Sequence, residues 1–399
     1  MRYISGPYTQ GQLLKEINEI ELSLTRRFQL GGVITDAAEQ RSWRERVEDA
    51  SFGRNTVIFD DQGNPSVMVA ISAFTEADVL SGGRNYPHPA FLVNGVTKLV
   101  IYVSKYQNIT TGSGSTLRAL SLKNVDPGNT INFDNALLAC KQKGTGWHLM
   151  TNAEWAAIAL WCKAQGFMPR GNNNYGKDNT VTTEKGIPSY WYDSSGTKYI
   201  GRTLTGSGPV GWSHDGSPFG IYDLNGNVTE WVGGMRLYNG EINVLQDNNA
   251  ADNTKDQSSS STEWKGILQD GSLVAPGTAS TLKYDSTGAD NGTSADVGDT
   301  RLDITITNSL TASYAYNTFE TTTAASGVTP PNILKLLCLY PIDSNHGGDG
   351  LYVRNSGEQL AGRGGYWTRM SNAGVFLLEL TSGRTVVSST LGFRSAFIQ

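Results

Sequence analysis

The sequence contains few of the residues that carry enzymatic or metal chemistry. Its 399 residues include three cysteines and four histidines, without a CxxC spacing or a histidine cluster. Three cysteines cannot build a disulfide framework, and isolated cysteines are usually buried free thiols. A Ser/His/Asp arrangement, a metal-ligand spacing and a phosphate-binding loop are absent as well. These absences argue against a disulfide scaffold and against the common catalytic centres.

Charge and long apolar runs are also scarce. Asp, Glu, Lys and Arg make up 17% of the chain and give a net charge of -5, without a Lys/Arg cluster. Nucleic-acid and anionic-membrane surfaces need such a cluster. No apolar run reaches the length of a membrane span, and the opening MRYISGPYTQ lacks the apolar core of a signal peptide. We therefore expect cytoplasmic synthesis, no membrane insertion and no nucleic-acid partner.

Residues 1–87 are predicted to form a small helix-and-hairpin module. Apolar residues at three- and four-residue spacings predict an amphipathic helix over 9–28, and a second helix is predicted over 36–50. Two β-rich runs on either side of residues 61–65 predict a hairpin. We interpret this module as an attachment or assembly element. The alternative is that its helices simply pack on their own hairpin.

The remainder of the chain is rich in strands, glycines and aromatic residues. Two helices are predicted within 132–166, and the second begins at a capping box, in which Thr151 caps the helix and Glu154 reaches back. Residues 236–345 are rich in Ser, Thr, Asp and Asn, which predicts a polar insertion that is partly ordered as hairpins. Helices and strands together predict an α+β fold.

Three motifs in order resemble the formylglycine-generating enzyme family. They are the helix GWHLMTNAEWAAIAL, the turn GIYDLNGNVTEWV and the tail GRGGYW…LGFRSAF, which occupies residues 362–397. That family has a glycine-rich variant of the C-type lectin-like fold, so the resemblance implies this fold over residues 88–399. Arg363 and Arg394 flank the tail. We predict that both are structural residues that bind backbone carbonyls.

The resemblance does not extend to the chemistry of the enzyme. The family's enzyme uses cysteine in the tail segment, and residues 362–397 contain none. Thiolate nucleophiles and copper ligation both require sulfur at the site, whereas Cys140 and Cys162 belong to the helical part. We therefore predict no enzymatic activity, no catalytic residue, no metal site and no cofactor. The Asp/Asn-rich loops are compatible with a structural calcium ion.

The tail also resembles the variable proteins of diversity-generating retroelements, of which phage tropism determinants are the known type. The similar features are the GRGG-x-W start, the AGVF strand and the GFR-SAF ending. In that family, adenine-directed mutagenesis rewrites the residues between fixed anchors. The resemblance implies a protein that binds a protein or glycan receptor on a host cell. It implies a phage tail or virion component, with the bacterial cell surface as the alternative, and the first helix permits a homotrimer.

Alternation along the tail predicts which side chains face outward. Phe376, Leu378 and Leu380 are predicted to be buried, and Trp367 is the predicted buried anchor. The same alternation is applied to residues 384–393. The candidate binding residues are of mixed type, as expected of a surface that accepts many partners: Tyr366, Thr368, Arg369, Met370, Leu377, Glu379, Thr381, Ser382, Val386, Ser388 and Thr390.

Two of these candidates differ from the others in their codons. Mutated adenines in an AAC asparagine codon yield Tyr, Thr, Arg, Leu, Val or Ser, but neither Glu nor Met. Met370 and Glu379 are therefore either fixed or derived from a different codon. Three other functions also remain open from the sequence: a fixed-specificity lectin, a structural virion protein and an oxidase of the family's own type.

Overall fold

The computed structural model describes residues 10–399. The α-helices are α1 (Gln10–Gly31), α2 (Ala37–Ser51), α3 (Glu76–Val79), α4 (Phe133–Lys141), α5 (Asn152–Ala164) and α6 (Asn332–Leu336). Both predicted N-terminal helices are confirmed as α1 and α2, while Thr9 lies outside the described residues. Within residues 10–399 none of the helices is both long enough and apolar enough to cross a membrane.

Most of the strands are short. The first twelve are β1 (Asn55–Phe59), β2 (Pro65–Ser72), β3 (Leu92–Val93), β4 (Val96–Thr97), β5 (Val100–Ser104), β6 (Ile109–Thr111), β7 (Arg118–Leu120), β8 (Trp147–Leu149), β9 (Trp191–Ser194), β10 (Thr197–Ile200), β11 (Thr229–Tyr238) and β12 (Glu241–Val244). The others are β13 (Lys265–Ile267), β14 (Leu273–Val274), β15 (Lys283–Ser286), β16 (Thr300–Asp303), β17 (Ala315–Thr318), β18 (Thr323–Ala324), β19 (Gly350–Val353), β20 (Glu358–Gly364), β21 (Gly374–Ser382), β22 (Leu391–Phe393) and β23 (Ser395–Phe397).

Two sheets contain most of these strands, and the remaining six strands form three separate pairs, β3-β4, β6-β7 and β9-β10. The smaller sheet is antiparallel and has the order β1-β2-β5-β23-β8. The larger sheet follows the order β17-β19-β21-β20-β11-β12-β15-β16-β18, and β22 lies parallel to β11. The tail strand β21 is therefore an interior strand, with β20 on one side and β19 on the other. Helices and mixed sheets together confirm the predicted α+β class.

The predicted hairpin is confirmed as β1 and β2, and it belongs to the same sheet as β23, the last strand of the tail. β2 pairs with β5 from Met68↔Ser104 to Ser72↔Val100. β5 pairs in turn with β23, where Ala396 lies opposite Val103. The N-terminal hairpin and the C-terminal strand β23 thus belong to one sheet. The division at residue 87 stays a prediction, and this continuous sheet crosses it.

Helix α1 is fixed on the domain by a buried polar network. Ile17 and Leu24 are fully buried on its inner face. Between them, the Glu21 carboxylate accepts hydrogen bonds from Lys105 Nζ at 2.7 Å and from the Tyr106 hydroxyl at 2.6 Å. A buried ion pair is tolerated only when it is fully hydrogen-bonded, so the network specifies how the helix docks. Because the inner face of α1 packs within its own chain, the proposed homotrimer requires another surface.

Helix α5 forms the centre of the main core and holds the tail strand. Its predicted capping box is confirmed, since the Thr151 side chain accepts from the Glu154 N–H and the Glu154 carboxylate accepts from the Thr151 N–H. Ten of the 13 residues of α5 are buried, as expected of a helix that is apolar on most sides. Trp155 Nε1 donates to the Val375 carbonyl at 2.7 Å, which ties α5 to β21.

The polar region predicted over 236–345 is built into the larger sheet. It provides β12 to β18. Its apolar residues 271–276 contain β14, which pairs with β13 as a hairpin, as predicted for parts of this region. A second apolar segment, residues 330–342, contains α6 instead of a hairpin, because Leu334 and Leu336 pack into the main core as the buried side of a helical turn.

Candidate functional site

Two buried arginines hold the ends of the tail. Arg363 donates to Asn152 Oδ1 at 2.6 and 3.0 Å and to backbone carbonyls. Arg394 binds Glu230 through two nitrogens, at 2.6 and 2.5 Å, and donates to two further backbone carbonyls. Both arginines are fully buried. The prediction that they are structural is confirmed, and the start and end of the tail are therefore fixed in place.

A buried carboxyl group supports the tail strand from below. Asp349 Oδ2 accepts a hydrogen bond from the Phe376 N–H at 2.7 Å. A Cβ at position 374 would collide with the Asp349 carboxyl group, so Gly374 leaves room for it. Burial raises the pKa of Asp349 to about 8. The carboxyl group is consequently protonated at neutral pH, so β21 packs against an uncharged side chain.

Seven of the predicted binding residues lie around one surface cavity of about 170 Å³. These residues are Tyr366, Arg369, Glu379, Ser382, Val386, Ser388 and Thr390. Sequence reasoning missed the other lining residues, which include Thr229, Trp231 and Gly362. Pairing of β11 with β20 and β22 brings them there, with Trp231 opposite Gly362 and Thr229 opposite Leu391. No local sequence signal marks such long-range neighbours.

The polar centre of the cavity is Arg369. Its Nη2 lies 2.9 Å from Glu379 Oε2, and Thr381 donates to the other carboxylate oxygen at 3.1 Å. The guanidinium lies over the rings of Tyr352 and Tyr366, at 4.3 and 4.7 Å from their centroids. Burial lowers the pKa of Arg369, but Glu379 and the two tyrosines raise it by more than burial lowers it, so the net shift is upward. The Arg369 side chain is therefore permanently charged.

Two polar atoms beside this cavity lack a protein partner. Among residues 10–399, neither Thr229 Oγ1 nor Arg369 Nε has a hydrogen-bond partner, although both atoms are buried. An unsatisfied buried polar atom costs about 1–3 kcal/mol. A ligand atom or a water molecule that reaches either group removes that cost. The cavity thus has both the shape and the unused hydrogen-bonding capacity of a binding site.

Leu377 does not face outward as predicted. It is fully buried, as are Phe376, Leu378 and Leu380, whose burial was predicted correctly. The reason is the glycine turn before the tail strand: Leu377 Cδ1 lies 2.9 Å from the position that a Cβ on Gly365 would take. Strand alternation assumes that one face is open, whereas at Leu377 the turn covers that face.

The strand expected over 384–393 is confirmed only at its end, as β22. Residues 383–390 form turns, in which the Val386 N–H donates to the Gly383 carbonyl and the Leu391 N–H donates to the Ser388 carbonyl. Alternation was therefore the wrong rule for this loop. The loop nevertheless places Val386, Ser388 and Thr390 on the cavity. The Ser388 and Thr390 hydroxyls are hydrogen-bonded to each other at 2.7 Å.

Thr368 and Met370 lie at the surface beside the cavity, while Trp367 is buried, as predicted for the anchor. Met370 has a left-handed backbone, with φ of 51°, and its side chain is 43% exposed. Its N–H donates to the Asn173 carbonyl at 2.9 Å, which holds this conformation. A left-handed residue other than glycine or asparagine is strained by about 1–2 kcal/mol.

Met370→Asn is expected to raise the free energy of unfolding by about 0.5 kcal/mol. Asparagine tolerates the left-handed region better than methionine does, and the exposed methionine side chain contributes little packing. Equilibrium urea unfolding measures the difference. Met370→Leu, which keeps the strain, is the matched control and should give no gain. Equal stabilities for the Asn and Leu variants would contradict the argument from strain.

The cysteines do not form a reactive centre near this surface. Cys140, Cys162 and Cys338 are buried free thiols. Burial raises the pKa of each thiol, that of Cys338 to about 12. Thiolates are therefore strongly disfavoured at neutral pH. Across residues 10–399, no three His, Cys, Asp or Glu side chains are grouped so that they could hold a metal ion.

Part of the chain matches a known family model. Residues 68–265 match the family described as the sulfatase-modifying factor enzyme 1-like domain. The C-type lectin-like fold that the sequence motifs predicted is thus confirmed.

Several solved structures are similar to the chain. One is variable protein 1 of Treponema denticola, with 13% identity, 86% of this chain and 99% of that chain covered and a TM-score of 0.32. Another is PvdO from Pseudomonas aeruginosa, with 15% identity, 86% and 98% coverage and a TM-score of 0.29. A third is the M1 variant of the major tropism determinant, with 11% identity, 86% and 71% coverage and a TM-score of 0.29. No curated protein sequence matches the chain.

Proposed function

We propose that this chain is a diversified ligand-binding protein, whose tail surface is rewritten by a retroelement. It recognises a protein or glycan receptor on a host cell and acts as part of a phage tail or virion. The surface needs no cofactor and performs no catalysis. Binding depends on shape complementarity and polar contacts around the cavity. Arg369 and Tyr366 belong to the residue types that dominate interface hot spots.

One observation carries the proposal: the tail separates supporting residues from displayed residues. Arg363, Arg394, Phe376 and Leu378 are fully buried and keep the backbone in place. The displayed side chains belong instead to a turn, the end of β21 and a loop, and seven of them line a common cavity. These seven side chains are partly or fully exposed, and substitutions at surface positions usually change stability by less than about 0.5 kcal/mol. Such a surface can change its residues and keep its fold.

The retroelement part of the proposal is tested by deep sequencing of the gene from one propagated population, with the flanking DNA. We expect substitutions to concentrate in codons 366–390 and to match adenines in a nearby near-copy of the tail sequence. Buried positions should be spared, and Leu377 now joins Phe376, Leu378 and Leu380 in that group. An invariant tail without a near-copy would contradict rewriting and leave a binder of fixed specificity.

The oxidase alternative has its own test in the thiols. An oxidase of the family type would lose substrate turnover when Cys140 or Cys162 is replaced by serine. We expect no oxygen-dependent oxidation of a cysteine-containing peptide by the full chain, because each thiol is buried and has a raised pKa. Turnover that disappears in either serine variant would overturn the proposal of a non-enzyme.

A further inference from the structure

A group of aromatic side chains lies on and beside the hairpin formed by β9 and β10, outside the tail. Tyr192 and Tyr199 are paired across the two strands, with ring centroids 5.6 Å apart. Tyr175 joins them, at 6.2 Å from Tyr192 with nearly parallel rings and at 5.1 Å from Tyr199. Trp191 begins the same hairpin and is 54% exposed. We call Tyr175, Tyr192 and Tyr199 the aromatic cluster; Trp191 precedes Tyr192 in β9 and therefore points to the opposite face of the hairpin.

The aromatic cluster is continuous with the tail surface. The Tyr175 N–H donates to the Trp367 carbonyl at 2.8 Å, and the Trp367 ring lies 5.8 Å from the ring of Tyr366. At the base of the hairpin, Arg202 Nη1 donates to the Ser389 carbonyl at 3.0 Å. Residues 175–202 are thus linked to the start of the tail at Trp367 and to the last loop of the tail at Ser389. A partner that binds the tail therefore contacts the hairpin as well.

The hairpin segment and the tail also carry large exposed apolar side chains. Ile187 and Trp191 are 52% and 54% exposed on the hairpin side, and Met370 and Val387 are 43% and 52% exposed on the tail side. Exposed apolar patches of this kind mark interaction sites on soluble proteins. Aromatic residues, methionine and arginine are the types enriched in protein–protein interfaces. The composition therefore indicates a recognition surface larger than the cavity.

Charge and hydrogen bonding indicate which kind of partner fits. Arg369 is paired with Glu379, and Arg202 is paired with Asp126 at 2.9 Å. Lys198 lies opposite Asp193 in the hairpin. A surface with internally paired charges does not attract a polyanion. A glycan can stack its C–H faces on such rings, but it also needs free polar side chains to bind its hydroxyl groups, and the charged side chains here are already paired with each other. A folded protein with its own apolar patch fits better.

We propose that the aromatic cluster is a constant half of the binding surface, which contacts a protein partner beside the diversified tail. This inference rests on the proposed function, since it presupposes that the tail binds a ligand. Tyrosine supplies a large contact area at low conformational-entropy cost. A hydrogen bond with Tyr192 raises the pKa of Tyr175, so these rings are already linked before a partner binds. The cluster then contributes affinity to every tail variant.

The test uses the full chain displayed on yeast, with lysozyme as the protein probe. Codons for the exposed tail candidates are randomised, and clones that bind lysozyme are selected by flow cytometry. Tyr192→Ser and Tyr199→Ser are then introduced together into each selected clone. We expect the Kd for lysozyme to rise at least about tenfold, which is the size of a hot-spot loss. Tyr86→Ser, at an exposed tyrosine elsewhere, is the matched control and should change the Kd less than twofold.

Every outcome of this experiment bears on one of the two proposals. If binders arise and depend on their tail residues but not on Tyr192 and Tyr199, the inference is overturned and the proposed function stands. If no binders arise from the library, the proposed function itself fails. A parallel selection uses biotinylated maltoheptaose as a glycan probe. Cluster-dependent binders for the glycan alone would overturn the assignment of a protein partner. Thermal denaturation of the serine variants verifies that the fold is intact.

Discussion

Arg394→Met is expected to lower the free energy of unfolding by about 4 kcal/mol, within the range for breaking a buried ion pair. The substitution leaves the Glu230 carboxylate, which is 1% exposed, without its bidentate partner. It also removes the donors to the Ser104 and Tyr222 carbonyls. These bonds join the end of the tail to β5 and β11, so the loss should affect the whole domain. Urea unfolding at pH 7 measures it.

Lys15→Met is the matched control for this prediction. Lys15 pairs with Glu19 on the surface of α1, where the two side chains are 77% and 66% exposed. An exposed pair of this kind contributes about 0–1 kcal/mol, so the control should stay close to the wild type. Adding Glu230→Gln to Arg394→Met should recover part of the loss, because the unpaired charge is removed. A loss below about 1 kcal/mol for Arg394→Met would contradict the assigned role.

Asp349→Asn is expected to change how stability depends on pH. The pKa of Asp349 is about 8 in the folded chain against a model-peptide value of 3.8, first because the group is buried and also because Glu320 lies near. Between these values the folded chain holds a proton that the unfolded chain has released. The wild type therefore loses stability from this group as the pH rises from about 4 to 8. The asparagine variant lacks this loss.

The expected size of this stability difference follows from one proton, which the folded wild type holds and the unfolded chain has released, over two pH units. Each unit corresponds to about 1.4 kcal/mol, so Asp349→Asn should gain about 2.5 kcal/mol relative to the wild type between pH 5 and pH 7. Above about pH 9 the difference should level off, because the carboxyl group is then ionised in both states. The buried histidines affect both proteins equally and cancel in the comparison. A difference that is constant from pH 5 to pH 9 would refute the raised pKa.

Much of the supporting structure could be predicted from the sequence because its signals are local. Three signals depend on residues that are neighbours in the chain: the Thr151 capping box, the helical periodicity of α1 and α2, and the turn residues between β1 and β2. The structural role of Arg363 and Arg394 followed from an arginine in a loop-rich, glycine-rich context. All of these are confirmed, because tertiary packing agrees with the local preference in each case.

The proposed binding surface could be predicted only in part, because it depends on what covers each strand. Leu377 obeys the alternation rule in its backbone, but a glycine turn lies over it. The loop over 383–390 has strand-like residues but forms turns. Thr229 and the aromatic cluster reach the site through pairing and packing between distant segments. The choice of tail residues remains a prediction for function, although the structure brings seven of them to one cavity.

The position of β23 has a consequence for which variants of this chain can exist. β23 follows the displayed loop in chain order, yet it lies inside the smaller sheet, between β5 and β8. A premature stop codon or a shifted reading frame within the tail therefore removes an interior strand together with Arg394. The defective product lacks the middle of a sheet and cannot complete its fold. The requirement to fold thus excludes truncated and frame-shifted products, and only chains translated in frame to the end of β23 can form the complete sheet.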